Sequence, residues 1–234
     1  MWDTNLISVH RDWSILCFAW KWLDSPLEVE SISYPKSLSA FISNPRNDYK
    51  IVRHLWRLLD EADIVVAHNG NSFDLKKIVS RFLFYNLPPP SPYKQVDTKL
   101  ASRKVSSNTS NKLDDLGRAW GFGRKLKHEG WEMWIECMSG KKEAWKKMKE
   151  YNKRDVALLE SVYKHLLPYI SNHPNVAMWD ENTSCPKCGS NKGFYNGGFY
   201  TNATTRYRVK RCKNCRGQCR IPINIRETKP LVGI

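Results

Sequence analysis

The chain has 234 residues, 41% of them hydrophobic and 12% aromatic, with a formal net charge of +15 and a pI near 9.5. That length allows one medium domain plus a small one, and the composition can supply a core, which excludes a disordered or fibrous chain. No apolar run approaches the length of a membrane span and Met1 opens no signal-peptide pattern, so the sequence reads as soluble and intracellular, with a polyanionic partner implied by the basic excess.

A polar lead-in holding Asp3 and Asp12 precedes two β patterns, SILCFAWKW (14–22) and LEVESISY (27–34), which read as a hairpin around Asp24-Ser-Pro. DYKIVRHLWRLLDEAD (48–63) has helical periodicity, and IVVAH (64–68) suits a strand buried on both faces. NGNSFD (69–74) comes next, and Leu75, Ile78, Val79, Phe82 and Leu83 then recur at helical spacing. Asp74 therefore falls at a strand-to-helix turn, where it could cap the helix or serve a site. NLPPPSPYK (86–94) predicts a rigid loop ahead of QVDTKLAS, read as a short strand in which Asp97 is either a turn or cap residue or a further acidic candidate.

The segment 106–128 starts polar and predicts a helix over 111–120 ending at Gly121. A long helix follows over 142–167, with apolar Trp145, Met148, Val156, Leu159, Val162, Tyr163 and Leu166. Within it Tyr151 and Asp155 are four apart and share one helix face. Pro168 ends the helix, and 171–183 reads as a polar linker.

Asn69, Phe73 and Asp74, together with Tyr151 and Asp155, resemble the second and third motifs of DnaQ-like 3′-to-5′ exonucleases of the DEDDy group, in the ribonuclease H-like superfamily. The resemblance covers roughly residues 13–168. It implies an α/β fold with a ribonuclease H-like mixed sheet flanked by helices over 1–170, and hydrolysis of DNA from a 3′ end. In such proteins four carboxylates hold two Mg²⁺ or Mn²⁺ ions, hard cations that take oxygen ligands and stabilise both the attacking and leaving oxygens. The resemblance assigns Asp74 and Asp155 to metal and Tyr151 to the attacking water. It places Asn69, Phe73, Asn111 and Lys112 in the substrate groove, with Lys125 and Lys127 as contacts to the nucleic-acid backbone.

The first family motif, Asp-x-Glu on an early strand, occurs nowhere in the 234 residues. Asp3, Asp12 and the pair Glu28 and Glu30 are conceivable substitutes, although the two Asp belong to the polar lead-in and the two Glu suit the wet face of an edge strand. The resemblance thus implies a sheet lacking its first strand, with that strand supplied from elsewhere, as by a second polypeptide. The alternative is a catalytically inactive nucleic-acid-binding protein descended from such a nuclease. Compact exonucleases with a tail of this kind suggest the cytoplasm of a prokaryotic or phage-infected cell.

That tail, Ser184 to Ile234, holds 11 Lys or Arg against the single acid Glu227, a net +10, whereas the other 183 residues hold 27 against 22. Cys185-Pro-Lys-Cys188 and Cys212-Lys-Asn-Cys215 are separated by 23 residues. Paired CxxC knuckles at this spacing signal a structural Cys₄ zinc site, and a chain without a signal peptide argues against disulfides or a redox pair. Between them GFYNGGFYTNATTRYRVKR reads as a β-hairpin with Gly197-Gly198 near its bend, and the segment resembles a zinc ribbon. Phe194, Tyr195, Phe199, Tyr200 and Tyr207 could stack bases or form the ribbon's own core, while Arg206, Arg208, Lys210 and Arg211 could neutralise phosphates. Cys17 and Cys137 read as small buried hydrophobes, Cys219 as a spare thiol or alternative ligand, and His68 as a satisfied structural histidine.

Overall fold

The computed structural model describes residues 13–23, 25, 30–33, 47–125, 130–179 and 184–223. Asp3, Asp12, Asp24, Glu28 and Lys127 lie outside them, as does the side chain of Glu30. The chain divides into two units, residues 1–103 with 107–162, and residues 104–106 with 163–234.

In the first unit β1 (Cys17–Trp20) pairs antiparallel with β2 (Glu30–Ser33), with Cys17 opposite Ser33, as the sequence predicts for a hairpin. Helix α1 (Tyr49–Glu61) leads to β3 (Ile64–Ala67), and helix α2 (Asp74–Phe84) leads to β4 (Lys94–Asp97). Strands β3 and β4 are parallel, with Ala67 opposite Asp97. A helix is what a parallel connection needs, because the chain must return to the start of the sheet before pairing again.

Among the described residues the two strand pairs are separate two-stranded sheets. The expectation that β3 is buried on both faces is corrected accordingly: Ile64, Val65, Val66 and Ala67 are all only half-buried. Their side chains suit an interior, but β4 flanks one edge alone. TKLAS, expected to continue the strand from Gln95, is instead the start of helix α3 (Thr98–Val105). Asp97 explains the switch, since its Oδ1 accepts the Lys99 and Leu100 amides at 3.0 and 3.2 Å and so caps the first turn.

Helix α4 (Leu113–Ala119) falls inside the predicted 111–120, and α5 (Trp131–Met138) is an element that the periodicity reading did not identify. Helix α6 (Lys142–Leu166) matches its expected span within a residue. Two apolar clusters hold this unit together. Val52, Leu59 and Phe82 pack with Ile15, Trp56, Val65 and Ile78, while Met133, Cys137, Ala144 and Met148 pack with Cys17 and Trp145. Cys17 and Cys137 are thus core residues, and burial pushes the Cys17 thiol up to about 12 and the Cys137 thiol to about 11.

A polar pair sits inside the first cluster. Arg81 donates to Asp48 through Nε at 3.0 Å and Nη2 at 2.6 Å, and both side chains are almost wholly buried. The same carboxylate accepts the Tyr85 hydroxyl at 2.6 Å and the Ile15 amide at 2.7 Å. It therefore ties the lead-in of β1, the start of α1 and the end of α2 to one point.

The second unit carries a 3₁₀ turn (Val176–Trp179) and a three-stranded antiparallel sheet in the order β5 (Phe194–Thr201), β6 (Arg206–Cys212), β7 (Gln218–Pro222). The hairpin bend is not at Gly197-Gly198. Those glycines form a bulge inside β5, where the register shifts between Asn196 and Phe199 and Gly198 takes φ +83°. Gly197 lies so close to Val209 that an added Cβ would stand 2.9 Å from its Cγ1. The bend is at 202–205, where the Asn202 side chain accepts the Thr204 and Thr205 amides at 3.0 and 2.7 Å. Among the described residues no helix is long and apolar enough to cross a membrane.

Removing one partner of the Asp48–Arg81 pair leaves a buried uncompensated charge. Asp48→Ala and Arg81→Ala should each lower unfolding stability by about 3–5 kcal/mol. The double variant Asp48→Leu with Arg81→Met should recover only part of it, because the Tyr85 hydroxyl and the Ile15 amide lose their acceptor. Urea denaturation checks both, and a loss below about 1 kcal/mol from either single variant would show that the pair is not needed.

Candidate functional site

The turn after β3 is held by backbone chemistry. Asn69 takes the left-handed conformation at φ +66°, which Asn tolerates better than most residues. Its amide donates to Asp97 Oδ1 at 3.0 Å and the Asn71 amide to Asp97 Oδ2 at 3.4 Å. Asp97, buried at the end of β4, thus accepts four backbone amides, two from the 69–71 turn and two from α3. Its local role is structural. Lys99 Nζ donates to the Asn69 side-chain oxygen at 3.2 Å.

His68 is held on both sides, Nδ1 by Thr98 Oγ1 at 2.9 Å and Nε2 by the Asn111 carbonyl at 3.0 Å. Burial lowers its pKa, and because a carbonyl only accepts, Nε2 carries a proton toward Asn111. Asn111 is engaged further, its Oδ1 accepting from Asn108 at 3.2 Å. Lys112 is exposed at the entry to α4.

This turn delivers Asp74 as the first residue of α2, with Phe73 just before it and half exposed. Lys77 Nζ stands 4.8 Å from the Phe73 ring centre. The Asp74 carboxyl is exposed at the surface yet its pKa is raised, first by partial desolvation and then by Asp97, against the pull of its own amide, Lys125 and Lys77.

On α6 Tyr151 and Asp155 lie one turn apart, as their spacing predicts. Between them stands Lys125, whose Nζ donates to Asp155 Oδ2 at 2.5 Å and to the Tyr151 hydroxyl at 3.4 Å, 5.4 Å from the Tyr151 ring centre. Burial works against its ammonium, but the Asp155 carboxylate outweighs that and raises its pKa. Sequence reading took Lys125 for a backbone contact to nucleic acid. In the structure the loop 121–125 aims it inward: Lys125 N donates to Asp114 Oδ1 at 2.7 Å, Phe122 N to the Gly117 carbonyl at 2.8 Å, and Arg154 Nε to the Arg124 carbonyl at 3.4 Å. The only sequence signal for this was a Gly-rich loop ending in Lys, which periodicity cannot interpret.

Asp155 and Tyr151 therefore meet the Lys125 ammonium directly, and its charge also acts on Asp74.

The second cluster is sulfur. The Sγ atoms of Cys185, Cys188, Cys212 and Cys215 all lie within 4.8 Å of one another. Cys185 to Cys215 is 3.8 Å and Cys188 to Cys212 is 3.9 Å, close to the edge of roughly 3.8 Å that four thiolates make around tetrahedral zinc. The two knuckles repeat one geometry. Gly189 and Arg216, each following the second Cys, have φ +67° and +61°, and each donates its amide to the carbonyl of the first Cys, at 2.8 and 3.0 Å. Asn214 N and Gly217 N point at Cys212 and Cys215 Sγ, at 3.3 and 3.4 Å. Burial pushes the Cys185 thiol up to about 11 and raises Cys215 as well, whereas Cys188, against its burial, is lowered by hydrogen bonds from Ser190 and Asn214. Cys219 stands apart, bonded to the Lys210 carbonyl at 3.7 Å. Lys187, inside the first knuckle, caps the end of the long helix by donating to the Leu167 and Pro168 carbonyls at 3.3 and 2.7 Å.

The basic residues of the sheet do not form one group. Arg206, Arg208 and Lys210 alternate with Tyr207, Val209 and Arg211 along β6, so Arg211 leaves on the opposite face from the other three.

No curated protein matches the chain. The family model of the RNase H superfamily matches residues 22–167. That span takes in β2, the β3–β4 pair, Asp74 and the Tyr151–Asp155 face, and covers more than half of the sequence. The chain belongs to the RNase H superfamily.

Proposed function

We propose that this chain is a metal-dependent 3′-to-5′ exonuclease of the DEDDy type acting on DNA, completed by a strand that brings two further carboxylates. The observation that carries the reading is the pairing of Asp155 and Tyr151 on one ammonium whose charge also acts on Asp74, in a chain of this superfamily. Nuclease function accords with the superfamily; polarity, DNA preference and dependence on another segment are the proposal. Supporting the last point, β1 and β3 each pair on one side only among the described residues, and an unpaired edge accepts an added strand.

In this reading Asp74 and Asp155 hold divalent cations, Mg²⁺ or Mn²⁺, which when bound polarise the scissile phosphate and lower the pKa of water. Tyr151 orients the attacking water through its hydroxyl. Lys125 holds the Tyr151 hydroxyl and the Asp155 carboxylate in place. Phe73 offers an exposed ring beside Asp74 for the terminal base, and the Asp97-held turn keeps Asn69 at the groove. The second unit is a zinc ribbon, with Cys185, Cys188, Cys212 and Cys215 holding one structural Zn²⁺, and it anchors nucleic acid.

Alone, the chain should show weak or no Mg²⁺-dependent shortening of a 3′ end in a labelled-oligonucleotide assay. Adding a segment that bears an apolar Asp-x-Glu strand should produce it. Asp74→Asn or Asp155→Asn should abolish the restored activity, and Tyr151→Phe should cost about 100-fold, the size of a lost proton-handling group. Robust activity from the chain alone, indifferent to Asp74→Asn, would refute the assignment. Persistent inactivity with the added strand would favour a nucleic-acid-binding protein without catalysis.

Metal analysis of the purified protein should find one zinc per chain, lost in Cys212→Ser. Chelation should remove amide-exchange protection from β5, β6 and β7, and a metal-free protein that keeps this protection would refute the zinc site.

A further inference from the structure

Register separates the second-unit sheet into two unlike faces. Cross-strand partners share a face, and Phe199, Arg208 and Ile221 form one such row. Arg206 and Lys210 flank Arg208 at intervals of two along β6, so all three cations leave on the Phe199 side. The contacts agree: the Arg206 guanidinium lies 4.2 Å from the Phe199 ring centre, and Lys210 Nζ donates to Asn196, its cross-strand partner, at 2.8 Å. Phe199 and Ile221 are both more than half exposed.

The opposite face is of another kind. Val209 there is buried against the bulge at Gly197. Tyr200 and Tyr207 lie ring to ring at 6.1 Å, and the Arg220 guanidinium covers Tyr200 at 4.0 Å. That face buries Val209 and pairs its tyrosines, with Tyr195 exposed beside Lys213, while the Phe199 face sets three cations in one row along β6 beside an exposed ring. No Asp or Glu occurs between Ser184 and Arg226 to oppose a polyanion on either face.

We propose that the Phe199 face is a track for single-stranded nucleic acid running along β6, with Arg206, Arg208 and Lys210 on successive phosphates and bases over Phe199 and Ile221. This rests on the reading that the chain binds nucleic acid, and adds which face, which residues and which form of nucleic acid. Two residues of strand advance about 6.8 Å, comparable to the step between phosphates of an extended backbone, so a straight row of three cations meets three phosphates in line. The exposed ring decides between forms of nucleic acid, because stacking on it needs an unpaired base whose face is free. A duplex offers its phosphates but not those faces.

The test is fluorescence anisotropy of the full zinc-loaded chain with a labelled single strand and a hairpin duplex of equal length, over a range of salt. Arg206→Gln with Arg208→Gln should lower the single-strand salt slope by about 1.4, the value for two phosphate contacts. Phe199→Ala should weaken single-strand binding about tenfold, the scale of one stacked base, and leave duplex binding unchanged. Lys213→Gln with Arg220→Gln, a charge-matched control away from the track, should leave the slope nearly intact. Zinc content and far-ultraviolet circular dichroism establish folding for each variant. Should Phe199→Ala lose zinc, Phe199→Leu keeps apolar bulk without the flat ring and should show the same selective loss. If the control pair lowers the slope as much as the Arg206/Arg208 pair, or the loss of Phe199 weakens the duplex equally, the track is overturned while nucleic-acid binding stands. If the unaltered chain binds neither probe, the broader reading fails with it.

Discussion

The first unit depends on one buried charge. Asp48 receives the forked Arg81 guanidinium, the Tyr85 hydroxyl and the Ile15 amide, so the entry to β1, the first residues of α1 and the end of α2 converge on it. Two separate strand pairs have no ladder in common among the described residues. A hub of charge-assisted hydrogen bonds therefore does what a shared strand would do in a continuous sheet, fixing the β1 lead-in against the helices around β3 and β4. Such a hub is specific because no apolar replacement satisfies four donors at once. The Val52, Leu59 and Phe82 cluster excludes water around it and strengthens each bond.

The same logic, moved to a strand end, builds the candidate site. Asp97 ends β4 with four amides pointing at its carboxylate, and so converts a parallel strand pair into a rigid platform for the 69–71 turn and α3. Asp74 is then delivered by the turn and Asp155 by α6. Lys125 brings an ammonium onto Asp155 and holds Tyr151 by its ring face and its hydroxyl. Asp97 is thus compensated by backbone amides and Asp155 by a side-chain cation.

The second unit solves the small-domain problem with sulfur. Its three strands carry few buried apolar side chains, Val209 among them, and four thiols meet at the spacing of a tetrahedral ion. Because the knuckles take over the work of a core, the sheet faces are released for other use. The bulge at Gly197-Gly198 places Phe199 in the row of Arg208 and Ile221 and Tyr200 in the row of Tyr207.

The sequence by itself determined the elements whose period is local. The long helix with Tyr151 and Asp155 on one face, the strand and turn that present Asp74, the hairpin at 17–33 and the paired CxxC knuckles all follow from side-chain spacing along a single element, which physical chemistry sets without reference to the rest of the chain. Tertiary structure decided the rest. That the Asp97 cap also holds the 69–71 turn depends on amides 26 and 28 residues away, and that Lys125 points into the site depends on Asp114 and Arg154 holding its loop. Helix α5 escaped the periodicity reading, yet its Met133 and Cys137 are buried in one cluster with Ala144 and Met148 of α6. The bend at 202–205 in place of Gly197-Gly198 came from an Asn side chain taking up two amides, while the glycines served a close approach to Val209. For the Asp97 platform, Lys125 and α5 the deciding partner lies outside the local element, whereas the 202–205 bend is set within its own turn.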